Sequence, residues 1–326
     1  MLEKTFALLA QYRPATYVEE DVECYDDAEI EELGRALAAL VYAPSKLRKK
    51  LQSMGATITR ADFYSEIPTI AELETSFSTP SLLKLDYPFR DNAFLREFLT
   101  ELTVFAKDFD PPVQATREGE YSWEGGAFSF SDAMSYYCMI RRYRPNTIVE
   151  IGCGASTMVA SLACEHNSTG RIVAIEPYPA PYVRDIPRVE LIQKRAQEID
   201  STLIESYLQD DDILFIDSTH TVKHDSDCLH IYLRILPHLT RKLLVHVHDI
   251  FLPDTLQITS MRDQQLFWNE QYLLYAYLIG NPRTKVLYGS NHHTRTNPEM
   301  LHEFMQGRYG MGGVSLWFAQ SGAVRA

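Results

Sequence analysis

Three groups of residues in this 326-residue chain have the types and spacing for chemistry. The first is "TIVEIGCGAST", 147–157, where an apolar run carries the acid Glu150 and ends in Gly152, Cys153 and Gly154. Two glycines one residue apart let a backbone turn tightly and approach a ligand with no Cβ in the way. The next segment, "STMVASLACEH", reads as a helix opening on Ser156 and Thr157, with its first N–H groups free for polar ligand atoms. The second is Glu176, which ends "RIVAIE" at the interval where α/β nucleoside sites place an acid on the ribose hydroxyls. The third lies at the ends of two later apolar runs: Asp217, Ser218, Thr219 and His220 after "DILFI", and His246, His248 and Asp249 in "KLLVHVHD".

The dinucleotide fingerprint would want a third glycine at position 157. Thr157 stands there, which argues against a pyrophosphate and for a nucleoside ligand without phosphates. An imidazole titrates near neutral pH, so His220 and His248 are candidate general bases, with Asp217 beside them. His246 lies inside an apolar strand and reads as a core group. Side chains alternate along a strand, so His246 and His248 should share one side, and Asp249 should point away unless the strand has already turned.

These groups need a scaffold that brings strand ends together. Short apolar runs at 147–151, 171–176, 189–194, 212–217 and 242–249 alternate with segments long enough for crossover helices. That pattern predicts a parallel sheet with helices on both faces. "TKVLYG" (284–289) and "GVSLWFA" (313–319) read as strands without a helix between them, hence a closing antiparallel pair, and "HH" at 292–293 reads as loop. Residues before 119 read as mostly helical. One stripe is Leu33, Leu37, Leu40 and Val41. A second is Phe94, Leu95, Phe98, Leu99 and Leu102. "DPPVQATREGE" (110–120) is the linker candidate, because paired prolines cannot continue a helix. The expected organisation is a helical region over 1–118 that caps the site and selects substrate, followed by a catalytic domain over 119–326.

Composition narrows the partners. The net charge of −13 argues against a nucleic-acid groove, which needs a clustered basic face. No apolar run approaches the ~20 residues of a membrane span. The five cysteines form no CxxC pair, so reduced thiols in a cytoplasmic protein are the plain expectation. A homodimer is open.

"EIGCGAST", "AIEPY", "LFIDSTHTVKHDSD" and "LLVHVHDIFLP" together resemble the class I S-adenosylmethionine-dependent methyltransferases, in particular the branch acting on small molecules. The resemblance spans roughly 121–320. It implies a Rossmann-like, doubly wound sheet with an antiparallel closing strand, and S-adenosylmethionine as cofactor. It implies that Glu150 supports the methionine amino group, that Gly152, Cys153 and Gly154 lie under the cofactor, and that Glu176 binds ribose with Pro177 beside it. It also implies that a residue after the third strand, here Gln197, meets the adenine, with Ser156, Thr157, Asp217 and Ser218 lining the same site. The approach segment "YSWEGGAFSFSDA" implies aromatic packing on the cofactor by Tyr121, with Trp123 and Phe128 near it. Ordinary interface packing is the equal alternative, and Gly125 with Gly126 would let the segment move as a lid. Catechol-type relatives hold a divalent metal on acids matching Asp217 and Asp249. They carry Asp or Asn next, where this chain has Ile250, so a metal is an alternative and not the leading expectation.

The expected reaction is methyl transfer to oxygen or nitrogen of a small molecule. Two others stay open: internal displacement within the cofactor, giving azetidine-2-carboxylate and methylthioadenosine, and cofactor binding without catalysis.

Overall fold

The computed structural model describes residues 26–79, 84–117, 119–125 and 128–322. They fall into two compact units. One combines 26–79 with Gln257–Phe267, and the other takes 84–256 with the rest of the chain from Trp268.

In the first unit, α1 (Asp27–Val41), α2 (Ser45–Gln52) and α3 (Ile70–Phe77) precede α9 (Ile258–Arg262), which packs on α3. Capping boxes start α1 and α3: Asp26 pairs with Glu29, and Thr69 with Glu72. Each box satisfies backbone donors that the helix start leaves free. The stripe read at Leu33–Val41 does lie on a helix, but no residue of α1 is buried.

The second unit holds a seven-stranded sheet in the order β3-β2-β1-β4-β5-β7-β6. Its strands are β1 (Thr147–Ile151), β2 (Arg171–Ile175), β3 (Val189–Ile192), β4 (Ile213–Ile216), β5 (Leu243–Val247), β6 (Thr284–Gly289) and β7 (Leu316–Gln320). The first five are parallel, and β7 runs antiparallel between β5 and β6. Two helices lead in, α4 (Asn92–Ala106) and α5 (Phe130–Tyr143). Between the strands lie α6 (Ala155–Asn167), α7 (Ser201–Tyr207), α8 (Asp227–His230, continuing as a wider turn to Ile235) and α10 (Glu270–Leu278). This is the class I methyltransferase fold, a doubly wound sheet with an antiparallel closing strand.

The strand alternation sorts the core into two layers. Ile148, Ile172, Ile213, Phe215 and Leu244 face α4, α5 and α6; Val149, Val173, Leu214, Ile216 and Val245 face α7, α8 and α10. Both faces are covered, which is why the inner strands read as unbroken apolar runs. Helix α5 is buried from Ser131 to Ile140. It packs against α4 as well as α6, so this compact unit begins upstream of residue 119.

The closing pair is antiparallel as expected, but two short helices lie inside it: α11 (Ser290–Thr296) and α12 (Pro298–Phe304). The "HH" pair is therefore buried helix and not loop. Phe89 stacks on His292 at 4.7 Å, and burial pushes the His292 pKa down to about 4 and that of His293 to about 3. Two neutral imidazoles can be buried where two charged ones could not.

Candidate active site

The carboxyl ends of β1, β2 and β4 open onto a cleft of about 370 Å³. Gly152, Glu176, Pro177, Gln197, Asp217 and Ser218 all line it. Gly152 has φ +88°, and a Cβ there would sit 2.1 Å from the Asp217 carbonyl oxygen, so only glycine allows β1 and β4 to end side by side. Glu176 accepts the Tyr178 N–H (2.8 Å) on one carboxylate oxygen. The other oxygen has no hydrogen-bond partner among the described residues. Gln197 donates its side-chain N–H to the Asp225 carbonyl (2.9 Å) and keeps its own carbonyl oxygen to offer.

Beneath the glycine loop, Glu150 is fully buried. Its oxygens accept from the Tyr136 hydroxyl (2.8 Å) and the Thr157 hydroxyl (2.6 Å). Thr157 in turn accepts the Gly154 N–H (3.0 Å). The residue that replaces the third glycine is thus a strut between the loop and the acid below it. Burial raises the Glu150 pKa to about 7, against the pull of those two hydroxyls. Burial also pushes the Cys153 thiol up to about 12, so it is not a ready nucleophile. Ser156 is buried at the start of α6. Tyr121 is also buried: its hydroxyl donates to the Phe128 carbonyl (2.8 Å), and its ring packs against Phe109 and Trp123. Gly126 lies outside the described residues.

The ends of β4 and β5 carry the charged groups. His220 Nδ1 donates to Glu270 at 2.9 Å, while Nε2 lies 3.3 Å from Asp217 and 3.2 Å from Asp249. A ring with a carboxylate on each nitrogen satisfies both only as imidazolium. Burial alone would lower the His220 pKa, but the hydrogen bonds to Asp217, Asp249 and Glu270 push it up to about 12. Glu270 also accepts from the Ser218 hydroxyl (2.7 Å) and the Tyr232 hydroxyl (2.9 Å). The Trp268 ring lies 4.6 Å from the imidazole, where an aromatic face favours a cation.

His248 is buried, and neither ring nitrogen makes a hydrogen bond. Its Nε2 lies 3.4 Å from Asp132 and its Nδ1 3.6 Å from Asp217. Burial opposes its charge, but the Asp217 carboxylate and its neighbours hold its pKa well above the ordinary value. Burial likewise opposes ionisation of Asp217, and His248 with His220 outweighs it, keeping that carboxyl well below the usual range. Asp249 does not point away from this group. Its backbone is left-handed (φ +56°), as is that of His220 (φ +58°), so the chain has already turned where strand alternation would have sent the acid outward. Strain of this kind costs about 1–3 kcal/mol per residue and collects at functional sites. His246 is the core group its position suggested, stacked on Trp317 at 4.2 Å and bonded to the Ser315 hydroxyl at 2.7 Å.

Asp217, His248 and Asp249 each offer a ligand atom within 4.8 Å of the others, so the expected acid pair gains an imidazole. Ile250, where the catechol-type pattern wants a further ligand, is buried in the core.

Sequence reading missed Asp132 and Glu270. Asp132 reads as a helix-start acid, and it does sit in the first turn of α5. It also accepts from the Val314 and Ser315 N–H groups (2.9 and 2.8 Å) and the Ser290 hydroxyl (2.8 Å). Glu270 stands 50 residues beyond His220, and nothing in the sequence pairs them.

Residues 149–250 match the family described as "Methyltransferase domain". The chain carries a methyltransferase domain. The matched stretch runs from β1 through the turn after β5 and so contains both the cleft lining and the two histidines. An uncharacterised protein of Archaeoglobus fulgidus is 29% identical over 172 residues, 48% of this chain and 76% of that relative. Solved structures similar to the chain include the O-methyltransferase TomG from Streptomyces achromogenes (17% identity, 70% of this chain and 90% of that one, TM-score 0.38). The plantazolicin methyltransferase BpumL is another (13% identity, 85% and 98%, TM-score 0.34). Among the described residues, no helix of the methyltransferase chain is long and apolar enough to cross a membrane.

Proposed function

We propose that this methyltransferase domain uses S-adenosylmethionine to methylate oxygen or nitrogen of a small molecule, with His248 as the proton acceptor. The observation that carries the reading is the double position of Asp217. It lines the cleft with Gly152 and Glu176, and it lies 3.6 Å from His248. Glu176 would hold the ribose hydroxyls, Gln197 the adenine edge, and Gly152 with Gly154 the close backbone approach. Ser156 and Thr157 would line the far end of the same site, with Glu150 below it and Tyr121 in the supporting aromatic layer. When bound, the cofactor supplies an activated methyl group on a sulfonium.

The residues of the chain then need to align the acceptor and take its proton. His220 is tied on both nitrogens and reads as a fixed cation that positions Asp217 and Asp249. His248 is held more loosely, 3.4 Å from Asp132 and 3.6 Å from Asp217, so it is the imidazole from which a neighbouring cation more readily displaces the proton. A cation brought beside these imidazoles disfavours their protonated forms, which would release His248 to act as base. The helical residues before 119 are the proposed source of acceptor selection.

The Asp217, His248 and Asp249 group favours a second version of the same reaction. A divalent ion held by those three residues would polarise an acceptor oxygen as a Lewis acid. Turnover lost in EDTA and restored by Mg²⁺ or Mn²⁺ would select this version.

Incubation with labelled S-adenosylmethionine tests the reading. S-adenosylhomocysteine should form with an acceptor present; methylthioadenosine would indicate internal cyclisation. Binding of S-adenosylhomocysteine with no turnover on any acceptor would leave a binding protein.

A further inference from the structure

A second cleft, of about 450 Å³, opens beside the first turn of α5. It falls within the range of small-molecule sites. Trp123, Phe130 and Tyr309 give it aromatic walls, Glu124 and Asp132 give it two acids, and among the described residues no basic side chain lines it. The walls are ordered against one another: Trp123 stacks on Tyr309 at 5.3 Å with the planes 5° apart, and Phe130 lies 5.1 Å from Tyr309.

Phe130 is the unusual member. It is 40% exposed, and its backbone is left-handed (φ +54°), a conformation a bulky residue adopts only when surroundings impose it. Gly310 and Gly312 lie against its ring; a Cβ on Gly310 would stand 3.4 Å from it. Gly313, at φ +111°, has no room for a Cβ either, since one would lie 2.5 Å from Asp132 Oδ1. The "GMGG" turn thus lets an exposed ring and a buried carboxylate share one cleft.

This cleft is joined to the nucleoside cleft by side chains. Asp132 lines the one, Asp217 lines the other, and His248 stands between them with both ring nitrogens free of hydrogen bonds.

We infer that the aromatic cleft takes the methyl acceptor, and that the acceptor is a planar aromatic molecule bearing a protonated nitrogen. The assignment of the occupant as acceptor rests on the methyl-transfer reading above. The chemistry of the occupant does not: aromatic faces and the exposed Glu124 carboxylate attract a cation, and the same carboxylate repels an anionic ligand.

The test uses the full chain with tryptamine, indole-3-propionate and hexylamine as probes, read by saturation-transfer NMR and calorimetry. Tryptamine should bind at least about tenfold more tightly than either of the others. Phe130→Ala should weaken it by at least about fivefold. Glu124→Lys, at an exposed position, should narrow the preference for the amine even if Phe130→Ala does not fold. Equal binding of indole-3-propionate, or an unchanged tryptamine affinity in both variants, would overturn the inference. A parallel titration with S-adenosylhomocysteine separates the two readings. If it binds and tryptamine shows no preference, the aromatic cleft assignment falls alone. If it fails to bind while tryptamine behaves as expected, the methyl-transfer reading falls, and the acceptor role falls with it.

Discussion

The two halves of the strand-end rim are built differently. At β1 and β2, the cleft lining comes from residues adjacent in sequence, Gly152 after one strand and Glu176 after the next, with Thr157 bracing the loop from inside its own helix. At β4 and β5, every important side chain is held by a distant one. His220 is held by Glu270, and His248 stands between Asp217 and Asp132, the latter 116 residues earlier in the chain. Local motifs suffice to build the cleft proposed for a nucleoside from backbone and one acid. Placing charged groups around a reacting atom takes partners from several elements, because each buried charge needs a counter-charge.

The sharpest way to break this comparison is to remove one group from each half. Glu176→Ala should weaken S-adenosylhomocysteine binding by about a hundredfold or more in calorimetry, roughly the cost of stranding a ligand diol. His248→Ala should leave that affinity within about threefold and lower turnover by ~10²–10⁴-fold, the usual contribution of a positioned base. If both variants lose binding equally, the rim is one site and not two.

The local half also depends on backbone that no side chain can replace. Gly152→Ala sets a Cβ 2.1 Å from the Asp217 carbonyl oxygen at φ +88°. A loss of about 3 kcal/mol or more is expected, read from urea unfolding. A loss below about 1 kcal/mol would show that the β1–β4 junction can spread.

Glu150 sharpens the comparison by a pH signature. Its folded pKa is raised to about 7 from an ordinary 4.5, so the folded state holds the proton more tightly than the unfolded one. Its contribution is therefore favourable below about pH 4.5 and lost as pH rises towards 7. The size is on the order of 3 kcal/mol. Glu150→Gln should flatten stability across that window. An unchanged slope would mean the acid is already ionised when folded.

How far the sequence could be read follows the same division. The parallel strands, the antiparallel closing strand and the strand-end positions of Gly152, Glu176 and Asp217 were legible, since each depends on local pattern and on the fixed geometry of a parallel sheet, whereas Gln197 came from the family resemblance alone. The helices inside the closing pair were not. Their polar residues, His292 and His293, are buried against Phe89 and neighbouring asparagines, and polar sequence reads as loop. Asp249 was legible as a candidate but not in its direction, because the left-handed turn at φ +56° has no glycine or asparagine to announce it. Asp132 and Glu270 were illegible for a simpler reason: an acid at a helix start has an ordinary explanation in the helix dipole.

Glu270 gives the finest test of the distant half. It is buried, lines neither cleft itself, and acts through His220, Ser218 and Tyr232, so it is a positioning residue. Glu270→Gln keeps the shape and removes one of the three carboxylates that hold His220 protonated. With its folded pKa pushed up to about 12, His220 stays cationic through the working range. The variant should bring that pKa down, so the alkaline limb of kcat/KM should move to lower pH. Near neutrality turnover should fall by about tenfold, a loss of ~1.4 kcal/mol, with cofactor affinity unchanged. A purely structural role would lower stability and leave the pH profile where it was. A profile that shifts while affinity holds would separate the charge on His220 from the cleft proposed for the nucleoside.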